Sequence, residues 1–207
     1  VFGKWHMGTT SDGATNWRTV GEYTDLPNPS RHGFSTYRGA IEGQVDNYYA
    51  WTEVDWPVAL AAGGTGSSVT NRTTWASDQP GPDAVEWIAA QTGSWFALVS
   101  LNAPHLDGEG PADAWELDDL APEAGGQCVQ LDAGTSCSSK ENFAALVGNA
   151  DTRVQDVLED LQQTDPDLLE DTVILLMGDN GTPSSLLESP WTRSGERVLA
   201  GKNSAYE

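Results

Sequence analysis

Lys4 and His6 stand two positions apart in the stretch GKWHMG, with Trp5 between them. In an extended segment both side chains leave the same face, while the tryptophan faces the other way into packing. That spacing aims two cations at one point, which suits an oxyanion. It equally suits a solvated edge carrying one buried tryptophan. The chain has only three lysines and three histidines in 207 residues, and two of each fall in GKWHMG, NAPH and GKNSAYE.

His105 closes NAPH, where Pro104 stiffens the approach to the imidazole. A near-neutral pKa suits proton donation to a leaving group. A surface histidine in a turn is the alternative. Lys202 follows Gly201, and a glycine lets the backbone pass close to a ligand. Asp179 and Asn180 lie in GDNG. A carboxylate and an amide carbonyl are hard oxygen donors for Ca²⁺ or Mg²⁺, and they are also ordinary turn chemistry. Four potential cations around an oxygen-rich metal site would form a pocket for an oxyanion.

These residues need elements to position them. Residues 9 to 82 are rich in Gly, Ser, Thr, Asn, Asp and Pro, which suggests loops and short strands. PGPDAVEWIAAQT reads as a helix, with Pro82 in its first turn, Asp83 at its positive end, and Val85 and Ile88 at helical spacing. SWFALVSL, residues 94 to 101, reads as a buried strand ending in the NAPH turn. In ENFAALVGNADTRVQDVLEDLQQ, Phe143, Leu146, Val147, Ala150, Val154, Val157, Leu158 and Leu161 recur at three and four, giving a helix with one buried face. DTVILLM, residues 171 to 177, reads as a second buried strand with GDNG at its tip. This order predicts an α/β fold with a mainly parallel central sheet flanked by helices. Ligands in such sheets bind beyond the carboxyl ends of the strands.

The net charge of −21, from 31 acidic and 10 basic residues, argues against nucleic acid as a partner. It fits a protein kept hydrated in saline surroundings, and equally an ordinary acidic secreted protein. No stretch approaches the ~18 apolar residues of a membrane span. Cys128 and Cys137 enclose VQLDAGTS with no metal-site spacing around them. They fit a local disulfide worth roughly 2–3 kcal/mol in an oxidising compartment, or else two unpaired thiols.

Five stretches, GKWHMG, HGFSTYRGAIEG, WFALVSLNAPH, DTVILLMGDNGTP and GKNSAYE, resemble successive motifs of the arylsulfatase-type sulfatases of the alkaline phosphatase superfamily. The resemblance runs along the whole chain and is weakest in the acidic stretch 106 to 140, read as a loop excursion. It implies residues 1 to 207 to be an internal part of a single catalytic domain with the superfamily's α/β sandwich. It implies that Lys4 and Lys202 hold sulfate oxygens and that His6 lies by the nucleophile and helps release sulfate. His105 becomes the candidate acid beside the leaving oxygen, and Asp179 and Asn180 half of a calcium site. His32 has no counterpart and reads as structural.

The family's nucleophile, a formylglycine made from Cys or Ser in a C/S-x-P-S/A-R motif, has no match here, nor does the aspartate pair that completes the metal site. NPSR, residues 28 to 31, lacks the Cys or Ser and stands on the wrong side of GKWH. The expectation is therefore a sulfatase segment, inactive alone, whose partners are a sulfated small molecule or glycan and the remainder of the same polypeptide. A periplasmic or secreted location is expected. Two alternatives remain: a phosphoester or phosphonate hydrolase on the same scaffold, and a non-catalytic structural or binding protein built on a sulfatase scaffold.

Overall fold

The computed structural model describes residues 1–5, 29–41, 45, 50–59, 65–105, 139–178, 191–193 and 196–198. The strands are β1 (Phe2–Gly3), β2 (Tyr37–Gly39), β3 (Trp51–Ala59), β4 (Thr65–Arg72), β5 (Val99–Ser100), β6 (Trp191–Arg193) and β7 (Glu196–Val198). The helices are α1 (Pro80–Ala89), α2 (Ser139–Thr164) and α3 (Pro166–Glu170), with a 3-10 turn at Pro29–His32. Five strands form one sheet in the order β4-β3-β2-β1-β5, and β6 pairs with β7 in a separate ribbon.

The class is α/β, but the sheet is mixed and not mainly parallel. β1 runs parallel to β2 and β5, whereas β2, β3 and β4 pair antiparallel. The reason is connection length. The link between β3 and β4 is too short for a crossover and yields a hairpin, while β1 reaches its neighbours through long connections. β3 is rich in aromatic and β-branched residues and is central. Its register breaks between Asp55 and Val58, around Pro57, which lacks a ladder donor. β4 is polar and closes the edge, with Gly66, Ser67, Val69 and Arg72 half-buried and the rest exposed.

β1 is only two residues long, and glycines make it fit. Gly3 has φ +96°, and a Cβ there would overlap the Ser100 carbonyl oxygen. A Cβ on Gly39 would overlap the Gly3 carbonyl group. The three parallel strands are therefore in direct backbone contact. Phe2 pairs with Arg38 on one side and Val99 on the other. Lys4 N–H donates to Ser100 O at 2.9 Å, and Trp5 N–H to Ala40 O at 3.0 Å. Trp5 packs with Val1, Tyr37 and Val54, as its position in the alternation predicts. Phe2 meets Trp87 of α1 at a ring separation of 5.9 Å.

Both predicted helices form. α1 starts at Pro80, the first residue of the predicted stretch, carries Pro82 and Asp83 in its first turn as expected, and buries Ala84, Val85 and Ile88. α2 buries Leu146 and Leu161, while Val147 is exposed, having rotated out of the contact stripe. It stops before Pro166, because the residue preceding a proline disfavours helix. Asp165 becomes extended and its side chain accepts from Asp167 N–H at 3.0 Å, capping α3.

The two apolar stretches read as buried strands behave differently. Only Val99 and Ser100 of SWFALVSL pair, and Phe96 and Leu98 are exposed, although Trp95 and Ala97 join the cluster of Val85, Ile88 and Leu161. In DTVILLM no ladder forms among the described residues, and Val173 and Leu175 are 87% and 76% exposed. A continuous apolar run becomes a buried strand only where neighbours supply a ladder and two covering layers. Neither is present around residues 173–177 among the described residues.

Replacing Gly3 by Ala should cost about 2–4 kcal/mol, from the left-handed φ plus the overlap with β5. Gly93→Ala, where an added Cβ meets nothing within 4 Å, should change stability by less than about 0.5 kcal/mol. Urea unfolding of the two variants checks the difference.

Candidate functional site

The parallel strands β2, β1 and β5 all end at one edge of the sheet. From those ends project Ala40, Lys4 and the segment 101–105, the position where open sheets bind ligands. Lys4 is buried at 8% exposure, so it is not the lysine of a solvated edge. An ammonium taken out of water needs partners or a ligand. Beside it the chain turns: His105 N–H donates to Asn102 O at 3.0 Å, Asn102 is buried, and His105 is half-buried. The fold thus carries Lys4 just past β1 and His105 in the turn that follows the adjacent β5, on the same side of the sheet edge.

The other proposed site residues, His6, Lys202, Asp179 and Asn180, lie outside the described residues, as do Cys128 and Cys137. His32 is exposed and its ring lies 5.5 Å from that of Trp5, a packing contact. Among the described residues no group of three or more His, Cys, Asp and Glu side chains is placed to hold a metal. None of their helices is long and apolar enough to cross a membrane.

Several of the cations are committed to internal pairs. Arg38 on β2 donates to Asp83 at 3.0 Å and to Glu86 at 3.2 Å, with Asp55 at 3.6 Å, tying the sheet to α1. Arg72 on β4 pairs with Glu53 across the β3–β4 hairpin. Arg153 on α2 pairs with Asp78 at 3.1 Å and Asp156 at 2.8 Å. The cleft around Arg153 is lined by Asp78, Asp156, Glu159 and Asp160. One guanidinium against four carboxylates leaves that cleft negative, the wrong sign for an anionic substrate.

Two supporting residues escaped the sequence reading. Asn102 was visible only as a neighbour of His105. Ser77, fully buried, accepts a hydrogen bond from Ala103 N–H at 2.9 Å. A lone serine in a polar stretch carries no periodic signal, so only the tertiary contact reveals it.

In an α/β sheet, polar groups gathered at the carboxyl ends of the parallel strands stand where such folds bind ligands. The sulfatase family model matches residues 1–204, and the chain belongs to the sulfatase family. No curated protein and no solved structure matches the chain.

Burial pushes the Glu53 carboxyl above its usual range, outweighing the Arg72 pairing that pulls it down. The sign follows from linkage: above about pH 4.3 the unfolded chain gives up this proton, while the native state retains it until the raised value is passed. Stability is therefore lost as pH rises through that window. Glu53→Gln should remove this component. Urea midpoints of the wild type should fall relative to Glu53→Gln between mildly acidic and neutral pH, and parallel profiles would refute the assignment.

Proposed function

We propose that the chain is the internal part of a sulfatase catalytic domain that hydrolyses sulfate esters, including those of carbohydrates, outside the cytoplasm. The observation that carries this reading is the sulfatase match over residues 1–204, joined to a lysine buried at the tip of β1 beside the His105 turn.

Lys4 and Lys202 take the sulfuryl oxygens and neutralise the charge that builds on them. His105 gives its proton to the ester oxygen as the S–O bond to the alcohol breaks, so the alcohol leaves neutral. His6 assists release of sulfate. Asp179 and Asn180 fit a calcium ion by donor chemistry, a carboxylate and an amide oxygen, but supply only two of its ~6–8 ligands. The remaining ligands and the nucleophile come from sequence outside these 207 residues. When present, calcium supplies charge neutralisation at the sulfuryl group, and formylglycine supplies the attacking hydroxyl. The net charge of −21 does not oppose an anionic substrate, because carboxylates beyond ~8 Å are screened at physiological salt.

The full-length gene product should hydrolyse 4-nitrophenyl sulfate much faster than 4-nitrophenyl phosphate. Lys4→Ala should lower kcat/KM for the sulfate about 10²-fold or more, the loss typical of removing one transition-state donor. Faster phosphate turnover would favour the phosphoester reading instead. Activity unaffected by Lys4→Ala would remove that residue from the site.

A further inference from the structure

We propose that Ser77 is a positioning residue for the reaction: its hydroxyl oxygen, accepting from the buried Ala103 amide, fixes the turn that aims His105. The inference rests on the reading of His105 as the proton donor to the leaving group.

Ala103 is 5% exposed, so its N–H has little access to water. A buried amide donor requires a partner, and Ser77 Oγ stands 2.9 Å from it. Two residues on, His105 N–H closes the turn onto Asn102 O at 3.0 Å. Residues 102–105 thus form one closed turn, and the Ser77 contact ties that turn to the body of the fold.

Ser77 is itself held firmly. It is fully buried, and its neighbours Trp75 and Ala76 pack in one cluster with Trp51, Leu146 and Ala103. Trp75 Nε1–H donates to Asn149 Oδ1 on α2 at 3.2 Å, and Asp78 N–H to Trp75 O at 3.0 Å. The Asp78–Arg153 ion pair adds a second tie to α2 at 3.1 Å. From α2 through the 75–78 turn to the 102–105 turn, each link is a buried contact or a short polar one. A proton donor must sit within hydrogen-bond reach of the leaving oxygen, and a misplacement of ~1 Å is enough to cost rate. Removing the Ser77 acceptor leaves the Ala103 N–H buried without a partner, and the turn shifts to find one.

The test compares Ser77→Thr, which keeps the hydroxyl, with Ser77→Val, which has the same shape without it. Both are made in the full-length gene product and assayed on 4-nitrophenyl sulfate and phenyl sulfate. Phenol is a poor leaving group and depends on protonation; 4-nitrophenol depends on it little. Ser77→Val should lower kcat/KM about tenfold or more for phenyl sulfate and less than about threefold for 4-nitrophenyl sulfate, and Ser77→Thr should restore the wild-type ratio. Equal losses on both substrates, or none, would overturn the proposal, since a merely structural defect is blind to the leaving group. His105→Ala separates the two layers. If it is selective for phenyl sulfate while Ser77→Val is not, only the role of Ser77 falls. If His105→Ala is itself unselective, the reading of His105 falls and takes this inference with it. Should the valine variant not fold, amide exchange in the unmodified protein decides: strong protection at Ala103 supports the contact, and exchange at the rate of a free amide overturns it.

Discussion

The backbone contact of β1 with β2 and β5 is the constraint on which the arrangement depends. A strand of two residues has little ladder to hold it. Its position comes from Gly3 and Gly39, whose missing side chains let three backbones meet, and from the flanking Phe2 and Trp5, which pack on opposite faces. Because all three strands run the same way, their carboxyl ends coincide. Lys4 and the 102–105 turn emerge together for that reason. A side chain at either glycine would separate the strands and with them the groups at their tips.

Around that frame the charges are sorted by partner. Arg38 anchors α1 to the sheet through Asp83, whose side chain is only 6% exposed. Arg153 anchors α2 to the turn before α1 through Asp78. The Asp83 carboxylate is buried, and losing Arg38 would strand that charge, whereas the more exposed Asp78–Arg153 pair contributes little by itself. The two pairs therefore act more on geometry than on net stability. Their effect here is to hold the helices and the 75–78 turn in one relation to the strand ends. Among the described residues, Asp78, Asp156, Glu159 and Asp160 gather in the α2 cleft.

Local chemistry made much of the fold legible. α1 and α2 follow from apolar residues at three and four and from prolines at their boundaries, and Trp5 follows from alternation. Features that depend on a neighbour did not follow. The antiparallel half of the sheet is set by β3 and β4 pairing across a short link. Phe96, Leu98 and the run 173–177 have strand-like composition, but their burial depends on what lies beside them.

For the site, the sequence by itself determined which residue types are present, their scarcity, and the family to which their motifs point. GKWHMG and NAPH were visible as cation-bearing stretches because lysine and histidine are rare in this chain. Only the tertiary structure decided that Lys4 is buried, that it shares a sheet edge with His105, and that Ser77 supports the intervening turn. The physical reason is that burial and hydrogen-bond partnership belong to pairs of groups distant in the chain. Spacing encodes which way a side chain leaves its own strand; it does not encode what that side chain will meet.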